Sequence, residues 1–439
     1  MRIQTKLEPN GFSASLLRNA RVQYPPDSWG RLDLRSRECL THNIMYLKVS
    51  PYALFHPSLH FEFPSPALKS LGDRCMQKDI PRIAAEDKCS ANKLYETLAQ
   101  SKITFDEGEL EELNTDETTD ACLLGLSFGR DSLLSYGLAK EADMEPKLAM
   151  VQDVWDHEAT EKYKLLRSFE KEHKEKVVVL LDYSDDLSSD RSINKPDSEG
   201  IVRANAMNGY AVLLVPFALQ CKTRYIVFGN EQNFNNYYKD SEGHAVYPSY
   251  DQSSEWMQQQ RTELLRFTNQ QIEVCSLVEP LYNLAELKIL FSRYPQLAKY
   301  QMSCDLTETK EKVRWCQKCP ACVNTFLDMT AHGFDPASVG FTENLLGTKQ
   351  RSLFSLFNPF PKSVYEKPVE VRDEQLYSFY LASRNGAKGA LIEEFKKQYR
   401  SEAIEREDEL HKKFMGIHQS NMPAPFRNKL KSIFKEELA

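Results

Sequence analysis

The chain has 439 residues, 41% hydrophobic and 27% charged, with a net charge of -7. Such a length accommodates two or three domains and a large core. The negative balance, with no basic stripe, excludes a general binder of nucleic acid or of anionic membranes, because both need a positive field. No apolar run approaches the roughly 18 residues needed to cross a bilayer. The opening MRIQTKLEPNGF lacks the apolar centre of a signal peptide, so a cytoplasmic protein is expected.

Residues 1–117 read as a mixed N-terminal domain. Short strand-like pieces, Ile44 to Val49 and Leu59 to Phe63, are interrupted by prolines at 25, 26, 51, 57, 64, 66 and 81, which suits a small α+β unit. The run from Asp106 to Asp120 is dense in carboxylates and reads as a solvated helix or linker, with a cation site as the alternative. A domain boundary is expected there.

Residues 118–333 form a second domain, in which strands alternate with helices as in a parallel sheet covered on both faces. Strands are predicted near 121–126, 147–153, 176–183, 224–229 and 272–278, and helices near 131–141, 157–173, 203–221, 254–269 and 285–300. In an open α/β sheet the ligand lies at the carboxyl ends of the strands. The loops that matter are therefore 127–132, 153–157, 184–203 and 230–252.

The first of these loops carries the strongest signal. An apolar run from Cys122 to Leu126 breaks at Ser127-Phe128-Gly129-Arg130-Asp131-Ser132, and a helical pattern follows at once. A strand, a tight loop and a helix N-terminus present free backbone N–H groups and the positive end of the helix dipole to an anion, above all a phosphate. Ser127 and Ser132 add hydroxyl donors, Gly129 permits close approach, and Asp131 could hold a magnesium ion bridging phosphate oxygens. The plain alternative is a strand-to-helix turn capped by Asp131. After the fourth strand, Gly229-Asn230-Glu231-Gln232-Asn233-Phe234-Asn235-Asn236 sets many amides beside one carboxylate, a mixture suited to a nucleotide, sugar hydroxyls or magnesium. Asn205, Asn208 and Gly209 read as capping residues before a helix, as does Ser253 or Ser254. His157, His244 and Tyr250 lie in loops near this end of the sheet, and none is assigned as an acid or base.

Cys304, Cys316, Cys319 and Cys322 form the other constellation. Two successive C-x2-C steps aim thiolates at one centre, and a tetrahedral zinc site needs four soft ligands. Iron–sulfur ligation uses similar spacings. With four cysteines and no open position, such a centre would be structural. Residues 323–333 then read as a short helix ending at Gly333, and 334–439 as a mostly helical C-terminal region with helices near 373–385, 387–407 and 425–437.

The SFGRDS loop resembles the SGGxDS pyrophosphate loop of the PP-loop (N-type) ATP pyrophosphatase superfamily, with Phe128 where the first glycine usually stands. Segments in the order SFGRDS, NGYAVLLVPFA, FGNEQNFN, EPLYNLAELKILF, CDL…RWCQKCPACVNTFL and EKPVEVRDEQ together resemble the UDP-N-acetyl-alpha-D-muramoyl-L-alanyl-L-glutamate epimerases. The loop and the cysteines are also similar to those of 7-cyano-7-deazaguanine synthase. The resemblance implies a PP-loop/HUP sheet and an ATP- and magnesium-dependent enzyme. It would adenylate a carboxylate with release of pyrophosphate and epimerise the terminal L-glutamate of a nucleotide-linked peptidoglycan precursor, with a ligase or amidating enzyme of another carboxylic acid, or a non-catalytic nucleotide-binding module, as alternatives. Ser127, Gly129, Arg130, Asp131, Ser132, Asn230 and Glu231 would face ATP, and the cysteines would hold zinc. The chain departs from the epimerase pattern at Gln232, in place of an arginine, in SYDQSSE, which has neither His nor Lys, and at Val371, in place of a cysteine. The implied partner is a small molecule, either a nucleotide-linked amino acid or another carboxylate.

Overall fold

The computed structural model describes residues 1–15, 19–108, 113–153, 159–183, 200–304 and 313–439. The chain begins with an antiparallel meander, β1 (Arg2–Glu8), β2 (Gly11–Ser15) and β3 (Asn19–Gln23). Its first turn is Pro9-Asn10, closed by the Glu8–Gly11 pair. Gly11 has φ +143°, and a Cβ there would sit 2.0 Å from the Val22 carbonyl oxygen, so only glycine fits. Strands β4 (Ser58–Phe61) and β5 (Lys102–Phe105) follow, β4 parallel to both β1 and β5.

The alternating segment supplies β6 (Thr119–Gly125), β7 (Lys147–Asp153), β8 (Val177–Asp182) and β9 (Thr223–Phe228). A two-strand ribbon, β10 (Tyr238–Lys239) with β11 (Ala245–Val246), precedes β12 (Glu273–Ser276). The parallel strands lie in the order β12-β9-β6-β7-β8, so their chain order is 5-4-1-2-3 and reverses between β6 and β9. This is the doubly wound arrangement, whose ligand crevice opens at the reversal.

The strands alternate strictly between two cores. Cys122, Leu124, Leu148, Met150, Tyr225, Val227 and Cys275 enter one. Leu123, Ala149, Ile226, Phe228 and Val274 enter the other. Helices therefore cover both faces: Arg130–Glu141, Ala159–His173 and Asn283–Arg293 on the first, Leu34–Val49, Ala206–Cys221 and Ser254–Phe267 on the second.

The α/β class and the parallel strands match the sequence reading, and three local expectations are corrected. Ile44 to Val49 is not a strand but the end of the helix Leu34–Val49, which is capped by the Asp33 carboxylate on the Ser36 amide. That helix is buried almost all round, so its apolar residues lose the helical period and imitate a strand. The helix expected over 285–300 stops at Arg293, before Pro295, and a short turn Pro295–Ala298 follows. The helix expected over 387–407 is broken into Ala390–Gln398 and Arg400–Glu405, with Glu407–Phe414 beyond.

The proposed domain limits at 117 and 333 do not coincide with breaks in the packing. β3 pairs with β8 through Val22–Asp182 and Gln23–Leu181, which fuses the meander to the parallel strands in one ten-stranded sheet. Beyond 333, Leu376, Phe379, Phe395, Leu430 and Phe434 belong to the same core as β6. The acidic stretch is anchored where it is described: the Asn114 side chain donates to Asp33 at 2.7 Å, and the Thr118 hydroxyl donates to the Gln271 carbonyl at 2.9 Å. Residues 109–112, 154–158 with His157, most of the 184–203 loop, and 305–312 lie outside the described residues. Among the described residues, no helix is long and apolar enough to cross a membrane.

Candidate functional site

The 127–132 loop leaves β6 at the reversal point and enters the helix Arg130–Glu141 through Gly129 as N-cap. Phe128 has φ +62°, the left-handed region, which glycine enters freely and a side chain enters at a cost. Its ring nevertheless holds the place, fully buried against Phe169 and Tyr300. Ser127 and Ser132 brace the loop internally: the Ser127 amide donates to Ser132 Oγ at 3.3 Å, Ser132 Oγ to the Gly129 carbonyl at 3.0 Å, and the Gly129 amide to Ser127 Oγ at 3.2 Å. The amides of Asp131 and Ser132 belong to a first helical turn, where N–H groups have no intrahelical acceptor.

The loop after β9 packs against this one with no room for a side chain at Gly229. A Cβ on Gly229 would lie 2.5 Å from that of Asp131. Next to it, Asn230 is 1% exposed with neither side-chain polar atom bonded, and Glu231 is 5% exposed with Oε2 unbonded. Burial, then the neighbouring Asp131 charge, raises the Glu231 carboxyl well above its usual range, against the pull of Arg130. Ser127, Gly129, Asp131, Ser132, Asn230 and Glu231 are thus brought together.

Arg130 is turned into the protein instead of toward the loop opening. Its Nε donates to Asp131 and to the fully buried Glu286, each at 2.9 Å, and Nη2 donates to Asn283. Glu286 is raised well above the carboxylate range, by burial first and by Asp131 second. Asn283 in turn donates its amide to Asn233 at 3.0 Å, and the Asn233 side chain donates to Glu374 at 2.7 Å. This chain of contacts leads from the loop into a cavity of about 180 Å³.

Glu231, Asp328, Glu366 and Glu374 line that cavity with the amides of Asn233, Asn324 and Gln375, and with the apolar Phe234, Pro248, Pro368 and Val371. Burial pushes Asp328 up to about 8, helped by Glu374, and pushes Glu366 up to about 7. Reading the sequence residue by residue assigned no role to Glu286, Asp328, Glu366 or Glu374. Asn324 and Asp328 did leave a signal: they are the polar residues at i and i+4 in the apolar stretch CVNTFLD, and so share one face of its helix.

His244 and Tyr250 are elsewhere engaged. His244 Nε2 contacts Asn92 Oδ1 at 2.9 Å, and the buried Tyr250 donates to Glu255 at 3.0 Å. Asn205 stands at the N-cap position of its helix with φ +60° but does not cap it, whereas Ser253 accepts from the Trp256 amide. Asn208 accepts from Trp256 Nε1 at 3.0 Å, a packing role.

The four cysteines converge. One sulfur atom from each of Cys304, Cys316, Cys319 and Cys322 lies within 4.8 Å of all the others, and all but Cys316 are buried. Cys316 and Cys322 sulfurs are 3.8 Å apart. Four thiolates about 2.3 Å from a central ion stand ~3.8 Å apart in a tetrahedron, so the cluster could bind a metal. The Cys316 amide donates to Cys304 Sγ at 3.3 Å and the Cys322 amide to Cys319 Sγ at 3.5 Å, bonds that favour thiolates. Immediately before Cys304, the Met302 amide donates to the Phe128 carbonyl at 2.7 Å, and Ser303 Oγ accepts from the Arg130 amide at 3.4 Å. The cluster therefore abuts the segment that props the 127–132 loop.

Comparison with protein-family models, curated proteins and solved structures finds no match.

Proposed function

We propose that this chain is an ATP-dependent enzyme of the PP-loop kind, which adenylates a substrate carboxylate with release of pyrophosphate. The carrying observation is the junction at the sheet's reversal point, where the Ser127–Ser132 loop touches the Gly229–Glu231 loop. First-turn amides and serine hydroxyls suit phosphate oxygens. Asp131 offers hard oxygen ligands suited to a magnesium ion, which when bound would neutralise phosphate charge, and Asn230 and Glu231 would face the nucleotide or the substrate. Arg130, held by Asp131 and Glu286, fixes the Asp131 carboxylate and balances the acids behind it. The cysteine centre is proposed to hold zinc as a structural ion.

Epimerisation of the terminal glutamate of a UDP-muramoyl dipeptide is the reaction the resemblance implies, and amidation of another acid is the alternative. Both begin with the same chemistry. An α-proton beside a carboxylate resists removal because the carbanion would carry two negative charges. Conversion to an acyl adenylate removes one of them, and the same adenylate is open to attack by ammonia. We expect ATP, magnesium and one member of a panel of carboxylic acids that includes UDP-muramoyl dipeptide and amine-bearing acids to yield AMP and pyrophosphate, with Asp131→Asn at least a hundredfold slower. Production of ADP and phosphate, or no nucleotide turnover across a panel of carboxylic acids, would overturn the reading.

A further inference from the structure

We propose that the cavity beside Glu231 binds an organic ammonium group, so that the acid activated by this protein carries a cationic arm. The inference rests on the adenylation reading for its placement in the reaction, and on the cavity alone for its chemistry.

The charge balance points there. Glu231, Asp328, Glu366 and Glu374 face the cavity, with Asp131 and Glu286 behind them. The cations facing them are few. Among the described residues, Arg130 is already taken by Asp131 and Glu286, Lys413 stands 3.5 Å from Glu370, and Arg203 donates at 2.9 Å to the hydroxyl of the lining Tyr365. Buried carboxylates in such excess either take up protons or wait for a cation. Two of them have remaining capacity. Glu231 is nine-tenths buried, lines the cavity and leaves Oε2 without a partner among the described residues. Asp328 has one oxygen on the Ser378 hydroxyl at 2.9 Å.

Glu366 and Glu374 are held in place by donors. Glu374 accepts from the Leu284 amide and from Asn233, and Glu366 from Ser355 and Asn324. Their orientation is set in advance, as a recognition site requires.

The walls decide between an organic cation and a metal ion. Phe234, Pro248, Pro368 and Val371 supply apolar surface between the carboxylates. A hydrated magnesium ion gains nothing from such walls, whereas an alkyl stem ending in an ammonium matches both surfaces.

The test is calorimetric titration of the full-length protein with n-butylammonium, L-lysine, glutarate and magnesium chloride, each without nucleotide. The expected result is saturable binding of the two ammonium probes, weakened at least tenfold in Asp328→Asn and Glu366→Gln. In Val371→Lys, which places a tethered ammonium against the carboxylates, the probes should no longer bind while the thermal melt stays cooperative. Glutarate or magnesium binding in place of the amines, or undiminished amine binding in Val371→Lys, would overturn the proposal. ATP–magnesium binding, measured separately, keeps the two readings apart. Its loss with amine binding intact removes adenylation and leaves the cavity's role standing, and the reverse removes only the cavity's role.

Discussion

Gly229 shows how one missing side chain sets the geometry of a site. Its φ is not in the left-handed region, so alanine is conformationally admissible, yet the added carbon would meet Asp131 Cβ at 2.5 Å. The two loops would have to separate, at about 1–3 kcal/mol as for other overpacked contacts. We expect Gly229→Ala to fold, to melt at lower temperature, and to lose at least tenfold in ATP–magnesium affinity by titration calorimetry. Unchanged affinity would mean that the loop contact does not set the nucleotide site. Phe128 is the converse case. Its left-handed backbone costs about 1–2 kcal/mol, and a fully buried aromatic ring offsets this with about 3–5 kcal/mol relative to truncation.

Among elements, the segment from Gln301 to Cys304 couples two features that look independent in sequence. It is attached to the 127–132 loop through Met302 and Ser303 and to the cysteine cluster through Cys304. Cys319→Ser should therefore lower bound metal, measured by elemental analysis, and also weaken ATP binding several-fold, although Cys319 belongs to neither the 127–132 nor the 229–236 loop. Metal loss with full nucleotide affinity would show that the segment holds its place unaided. The cysteine spacing was legible because ligand geometry is local. The parallel strands were legible because burial on both faces leaves continuous apolar runs such as KVVVLLDY. The cavity was not, since Glu231, Asp328 and the Glu366–Glu374 pair come from three separate segments, and only Glu231, in the amide-rich loop after β9, stood out as a site residue in the sequence. The meander left one local trace, Pro-Asn-Gly between β1 and β2, whereas its partner β8 lies about 160 residues away, beyond the reach of any periodicity.

At the scale of the whole molecule, one ten-stranded sheet takes strands from both sides of the boundary expected at 117. Leu123 and Ile226 share a core with Ile44 and Leu47 of the N-terminal helix, so removing the first 117 residues would strip one face of the parallel strands. We expect a fragment of residues 118–439 to be insoluble or to lack a cooperative melt, while the intact chain unfolds in a single transition. A soluble, cooperatively melting fragment would restore the boundary at 117.

The pairing of β3 with β8 also bears on how the protein is made. Synthesis runs from the N-terminus, so the edge of β3 emerges long before Leu181 and Asp182 exist to cover it. Until then its free amides and carbonyls form an open template for any passing strand. A nascent chain stalled before β8 should be the species that chaperones hold and that aggregates first.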